Sequence, residues 1–238
     1  MTKNIIAIIL ARSKSKGIKN KNIKKINGVP LIGLAAKCAL KSKLIDHVII
    51  STDSEKYGKI AKKYGADFFY LRSKKISGAA IKDESVLIDG LKQAEIFYKK
   101  KFDVIISLPA STPTRSHNDL NQMISFFLSH SYESLWSVSK TDLKFHPLKQ
   151  LIMKDDKLYY FDKRGKNIIN RQQLVNNIYH RNGVAYIVTR KFLKHKKKLI
   201  GDNSIGHHVK GDRVSIDTLK DLKFGHQLVL HVDPSHQS

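Results

Sequence analysis

Cysteine, tryptophan and long hydrophobic runs are almost missing from this sequence. It has one cysteine and one tryptophan among 238 residues, and a single cysteine excludes an internal disulfide and a metal site built from several thiolates. Cys38 falls on an apolar stripe with Leu31 and Leu34 at helical spacing, which is typical of a buried thiol. No apolar run approaches the ~20 residues that cross a bilayer, and residues 1–4 lack a cleavable signal pattern. We therefore expect a cytoplasmic protein with no membrane partner.

Acidic residues are also scarce. The chain has 44 lysines and arginines against 20 aspartates and glutamates, which gives a formal net charge of +24. Three interpretations are open: a nucleic-acid-binding protein, an enzyme for a small anionic substrate, or a solvated lysine-rich surface. The positive residues occur in short clusters along the whole chain, and no basic helix with interleaved aromatics is evident. This distribution favours the solvated surface for most lysines, so we expect no nucleic acid partner.

Strand-like and helix-like segments alternate over much of the chain. Largely apolar runs predict strands at 4–10, 46–51, 66–71, 102–108, 134–139, 184–188 and 214–217. Apolar stripes predict helices that open at Pro30, span 54–64, 83–100, 117–130 and about 190–196, and follow Thr218. This alternation predicts an α/β fold with a mostly parallel sheet and helices on both faces, in one domain over 1–238.

The alternation breaks between 141 and 182. This segment is polar and rich in turn residues, with short β-like pieces such as 158–161. We interpret it as an inserted arm that makes an oligomer contact.

The segment from Leu10 to Asn22 is the most informative part of the chain. It follows an apolar strand and carries Arg12, Lys16 and Lys21 around a glycine. A buried strand that leads into a basic, glycine-containing loop is where an α/β protein holds a phosphate chain. The loop therefore predicts chemistry on a nucleoside triphosphate.

Seven motifs occur in order over nearly the full length. They are A-R-x-x-S-K-G-x-x-x-K-N at 11–22, S-T-D-S at 51–54, L-R at 71–72, L-P-A-S-T-P-T-R at 108–115, H-P-L-K at 146–149, R-Q-Q at 171–173 with R-N-G at 181–183, and I-D-T at 216–218 with Asp221. Together they resemble the acylneuraminate cytidylyltransferases, also called CMP-sialic acid synthetases. Some details are similar to the branch that acts on legionaminic or pseudaminic acid.

The resemblance implies a three-layer, Rossmann-like nucleotidyltransferase fold with a small dimerisation arm. It implies that CTP and a nonulosonic acid give the CMP-sugar and pyrophosphate, with Mg²⁺ as cofactor in a homodimer. Fixed cations and Mg²⁺ suit this reaction because negative charge moves onto the leaving pyrophosphate. A nucleotidyltransferase for another sugar and a basic nucleic-acid-binding protein are the alternatives.

The resemblance also implies a role for each matching residue. The triphosphate would be held by Arg12, Lys16 and Lys21, and Mg²⁺ by Asp217. The rest of the nucleotide would contact Leu10, Ala11, Asn22 and Arg72. The sugar acid would contact Ser111, Thr112, Lys149, Arg171, Gln172, Arg181 and Asn182, with Lys149 and Arg171 reaching its carboxylate across the dimer interface.

Several positions depart from the family pattern. Ser215 stands where the family often has a second acidic residue, which weakens the expected metal site. Pro109 replaces a frequent glutamine, and 78–81 lacks a frequent aspartate and precedes Lys82. These departures leave the identity of the sugar open.

Asp53 has two interpretations of equal weight, a functional residue or a cap for the next helix.

Overall fold

A computed structural model of the protein describes residues 3–15, 17–174 and 177–232. The strands are β1 (Ile5–Leu10), β2 (Lys25–Ile26), β3 (Val29–Pro30), β4 (His47–Ser51), β5 (Val104–Pro109), β6 (Ser134–Lys140), β7 (Leu151–Lys154), β8 (Lys157–Tyr160), β9 (Tyr179–Thr189) and β10 (Ser204–His208). The α-helices are α1 (Leu31–Leu40), α2 (Glu55–Lys63), α3 (Asp83–Phe97), α4 (His117–Leu128), α5 (Arg190–Lys196) and α6 (Leu219–Val232).

Six strands form the central sheet in the order β10-β6-β9-β5-β1-β4. Strand β1 pairs in parallel with both β4 and β5, while β9 runs antiparallel to its neighbours β5 and β6. Alternate side chains of β1 enter two different cores: Ile6 and Ile8 pack with α3 and α5, whereas Ile5 and Ile9 pack with α1, α2 and α4. Burial on both faces explains the continuous apolar run. The predicted three-layer, mostly parallel α/β fold is confirmed.

Two predicted strands are wrong. Over 66–71 only Asp67 pairs, through an isolated bridge to Ile49. Residues 214–217 form no strand, because Val214 and Ile216 pack with α6 in a third apolar cluster while the Ile216 N–H donates to the Ser111 carbonyl. The edge strand β10 was missed, since its Gly-His-His sequence carries little β propensity.

Strand β9 begins at Tyr179, inside the segment expected to form the arm. Before it, the described part of the arm consists of short 3-10 turns and one antiparallel hairpin, β7-β8, that pairs only with itself. None of the described helices has the length and apolarity to cross a membrane.

Candidate active site

A cleft of about 420 Å³ lies at the carboxyl ends of β1 and β5. Eight of the predicted site residues line it, although they are spread over more than 200 positions of the sequence. They are Leu10, Ala11, Arg12, Lys21, Asn22, Arg72, Ser111 and Asp217. Parallel strands bring these loops together because their carboxyl ends share one edge of the sheet. Lys16, predicted to join them, lies outside the described residues.

An ion pair crosses the cleft between Lys21 and Asp217. Lys21 Nζ lies 2.8 Å from Asp217 Oδ1, and the Asp217 side chain is 67% exposed while that of Lys21 is 16% exposed. The backbone N–H groups of Asp217 and Thr218 both donate to Asp221. Burial acts to raise the pKa of Asp221, but these hydrogen bonds outweigh it and hold that pKa below its ordinary value. Asp221 thus fixes the backbone at Asp217, whose own carboxylate points to the cleft.

Arg72 supplies a second guanidinium from the loop before α3. It is buried, and its Nε donates to Ser77 Oγ at 3.2 Å. Burial lowers the pKa of Arg72, whereas nearby carboxylates, with Asp53 the strongest, act in the opposite direction. Because a guanidinium stays protonated at any working pH, the cleft keeps a fixed positive charge at this position.

A second cavity of about 470 Å³ adjoins the cleft and shares Asp83 and Pro109 with it. Thr112 and Arg181, both predicted to contact the sugar, line it together with Ser215, one of the departures from the family pattern. Asn182 lines it too, but its amide donates to Ser139 Oγ and accepts from the Val184 N–H. The Asn182 side chain therefore holds β9 in place against β6.

Residues 6–202 match the family model described as cytidylyltransferase. The chain belongs to this cytidylyltransferase family. It is 34% identical over 220 residues to the post-translational flagellin modification protein B of Campylobacter coli, and the match covers 92% of each chain. It is 31% identical, with the same coverage, to a CMP-N,N'-diacetyllegionaminic acid synthase of Campylobacter jejuni. The family predicted from the ordered motifs is confirmed.

The fold of this cytidylyltransferase is similar to that of a solved CMP:2-keto-3-deoxy-manno-octonic acid synthetase complexed with CTP. The TM-score is 0.69 at 14% identity, over 96% of this chain and 99% of that one. The likeness at such low identity shows the shared nucleotidyltransferase fold.

Three predicted sugar residues of the cytidylyltransferase lie in the arm, away from both cavities. Lys149 and Arg171 line a separate groove of about 280 Å³ beside the β7-β8 hairpin. Gln172 lies in the short 3-10 turn that spans Arg171–Gln173 and is exposed. Within one chain the structure does not bring these residues to the cleft, so their roles stay predictions.

The structure adds residues that the motifs did not indicate. Asp83, Trp136 and Tyr186 all line the second cavity, and the Arg181 guanidinium lies 5.5 Å from the Trp136 ring centroid. An acidic residue in the first turn of a predicted helix reads as a helix-stabilising charge, so Asp83 gave no separate signal. Trp136 is the single tryptophan of the chain, and its rarity was the one sequence signal that could have singled it out.

Asp53 belongs to the loop of the cleft rather than to helix α2. Its carboxylate accepts from the Ser13 backbone N–H at 2.7 Å and from Ser13 Oγ at 2.9 Å, while Ser54 caps α2 by accepting from the Tyr57 N–H. The capping interpretation is therefore wrong. Asp53 ties the loop that carries Arg12 to the end of β4.

We predict that Asp53→Ala raises KM for CTP about tenfold with a smaller effect on kcat. Two charge-assisted hydrogen bonds of about 1.5–3 kcal/mol each hold the loop, and their loss leaves the cations of the cleft poorly placed. Initial rates over a range of CTP concentrations measure the effect. Glu55→Ala, two positions on and exposed, is the matched control and should leave KM unchanged. Equal KM values for the two variants would contradict this role.

Gly17 allows the loop to approach Asp217 closely. A Cβ built at Gly17 would lie 2.4 Å from the Asp217 carbonyl oxygen, which is a backbone atom and cannot rotate away. We predict that Gly17→Ala separates the loop from Asp217 at a cost of about 1–3 kcal/mol, which is about 5- to 150-fold in CTP affinity. Calorimetric titration with CTP measures it. Gly206→Ala, whose Cβ would meet nothing closer than 3.5 Å, should bind CTP like the wild type.

Proposed function

We propose that this cytidylyltransferase couples CTP to a nonulosonic acid, a nine-carbon 2-keto sugar acid, and releases pyrophosphate. The observation that carries the proposal is the juxtaposition of a basic cleft with a second cavity across a shared wall. The named relatives support the choice of substrates, since one is described as a synthase of CMP-N,N'-diacetyllegionaminic acid.

The residues of the cleft suit the reaction. The anomeric hydroxyl of the sugar attacks the α-phosphorus, and negative charge develops on the leaving pyrophosphate. Arg12 and Lys21 line the cleft as fixed cations that stabilise this charge. Asn22 Nδ2 donates to the Arg12 carbonyl at 3.0 Å, so we assign that donor to shaping the loop and leave base recognition to the backbone of Leu10 and Ala11 and to the Asn22 carbonyl oxygen.

Asp217 is suited to coordinate Mg²⁺. Its carboxylate is exposed to the cleft, and Mg²⁺ needs only one or two carboxylates when phosphate oxygens and water complete its shell. Within the described ranges no group of three or more His, Cys, Asp or Glu side chains could hold a metal. When bound, Mg²⁺ would neutralise part of the triphosphate charge. Lys21 would then leave its ion pair with Asp217 and contact a phosphate group of the nucleotide instead.

Pyrophosphate release tests the proposal. Purified protein with CTP and Mg²⁺ should release pyrophosphate with at least one of legionaminic, pseudaminic and N-acetylneuraminic acid. Replacing CTP by UTP, GTP or ATP should abolish the signal and the thermal stabilisation that CTP gives. No release with any of the three acids would overturn the proposed substrates, and release with another sugar would support the alternative transferase.

We also propose that the arm forms a homodimer. Its hairpin exposes large apolar side chains that are each 42–71% exposed, and four of them share one face: Leu151, Met153, Leu158 and Tyr160. A lone two-stranded hairpin is marginally stable in water, and an apolar patch of this kind marks an interaction site. A second copy would cover the patch and place Lys149 and Arg171 of one protomer near the partner's second cavity.

Sedimentation velocity tests the dimer. The wild type should sediment as a dimer and Leu158→Asp as a monomer. Ile96→Asp is the control, because Ile96 is 62% exposed on α3, far from the hairpin in sequence. A monomeric wild type, or a dimeric Leu158→Asp, would contradict an interface built on the hairpin.

A further inference from the structure

The wall between the two cavities holds one ionisable side chain. Among the described residues, only Asp83 and Pro109 line both the cleft and the second cavity. If the nucleotide occupies the cleft and the sugar acid the second cavity, the attacking hydroxyl and the α-phosphorus meet at this wall. A proton must leave the hydroxyl there, and proline has no group that can accept it.

The Asp83 carboxylate is available to a substrate. It lies in the first turn of α3, exposed to the cavities, and the described residues donate no hydrogen bond to it. Glu84, which follows it, lines the second cavity alone. Asp217 lines the cleft alone and is paired with Lys21. Asp83 is therefore the carboxylate placed to reach both reactants.

Charged groups from several elements act on Asp83. Arg12 follows β1, Arg72 precedes α3 and Arg181 lies on β9, while Glu84 is the one neighbouring carboxylate. Although Asp83 is open at the cavity surface, loss of solvent against the surrounding wall raises its pKa, Glu84 adds to this, and the three arginines oppose it. Tyr186 also faces Asp83 across the second cavity. A raised pKa makes a carboxylate a better proton acceptor.

We propose that Asp83 is the general base of the transfer reaction, an inference that rests on the proposed function. The O–H bond of the anomeric hydroxyl breaks as its oxygen forms a bond to the α-phosphorus. The bond between the α-phosphorus and the bridging oxygen breaks, and pyrophosphate leaves with the electron pair. Asp83 takes the proton and passes it to solvent when the products leave. The positive charges of the three arginines offset the repulsion between the anionic base and the two anionic substrates.

Asp83→Asn tests the proposal, because it keeps the shape of the side chain and removes its proton affinity. With a sugar acid that the wild type turns over, kcat should fall about 100-fold or more, while the affinity for CTP and the melting temperature stay unchanged. The wild-type kcat should decline at low pH as Asp83 is protonated, and the variant should lack that decline. Asp83→Glu should recover part of the rate.

Asp202→Asn is the matched control, because Asp202 is exposed and lines neither cavity, and it should change kcat less than threefold. A kcat of Asp83→Asn within threefold of the wild type would overturn the assignment. So would an unchanged kcat with weaker sugar affinity, because Asp83 would then only position the sugar. A loss of kcat with the low-pH decline retained would also overturn it. If the wild type turns over none of the acids, the proposed function itself has failed.

Discussion

Arg12→Ala is expected to lower kcat/KM for CTP by about 1,000-fold while the protein stays folded. Arg12 lines the cleft, and its guanidinium makes one long hydrogen bond, 3.4 Å from Nη1 to the Gly78 carbonyl. The fold therefore depends little on the side chain. The bound triphosphate, in contrast, loses a donor aimed at charge that grows in the transition state, and one such donor is worth about 10²–10³ in rate.

Two further variants sharpen this expectation. Lys14→Ala removes one positive charge from the same loop, but Lys14 is exposed and does not line the cleft, so its kcat/KM should stay within about threefold of the wild type. Arg12→Lys keeps the charge and loses the planar fork that binds phosphate oxygens in pairs, so it should recover only part of the rate. Similar losses for Lys14→Ala and Arg12→Ala would mean that net charge, rather than a placed guanidinium, is responsible.

Local sequence order made the basic cleft predictable. The loop after β1 carries its cations within a dozen residues, and its motif requires Gly17 and Asn22 at fixed spacing. The structure gives both a physical reason, since Gly17 abuts the Asp217 backbone and Asn22 supports the Arg12 carbonyl. Such short-range requirements are visible in a sequence without knowledge of the fold.

Contacts distant in sequence could not be predicted in the same way. In the sequence, Asp83 is an ordinary acidic residue in the first turn of a helix. Only the fold shows that Asp83 and Pro109 both line the two cavities. The 214–217 segment has the alternation of a strand, yet Val214 and Ile216 have a third apolar cluster to enter, and tertiary packing decides the outcome. The fold class was predictable because β1 is apolar throughout and β5 is apolar except for Ser107. The structure of segments with weaker patterns was not predictable.

Arg115, the last residue of the motif at 108–115, serves the stability of the fold. It is the largest fully buried side chain of the described residues. Its Nε donates to the Val184 carbonyl at 2.7 Å, and its Nη2 donates to the Pro109 carbonyl at 2.7 Å and to the Gly183 carbonyl at 3.2 Å. Burial lowers the pKa of Arg115 to about 10. One guanidinium thereby joins the end of β5 to the antiparallel strand β9, beneath the wall that separates the two cavities.

Arg115→Met is expected to destabilise the protein by about 3 kcal/mol, because charge-assisted hydrogen bonds contribute about 1.5–3 kcal/mol each and the gain from burying methionine offsets only part of the loss. The melting temperature should fall by roughly 6–12 °C for a chain of this length. Urea unfolding followed by circular dichroism measures the change. Arg115→Lys should be nearly as destabilised, since one ammonium cannot reproduce the three-carbonyl geometry. Arg164→Ala removes an arginine whose side chain is 80% exposed and should unfold with the wild type. An Arg115→Met protein within about 1 kcal/mol of the wild type would show that packing alone, without the guanidinium, holds β5 against β9.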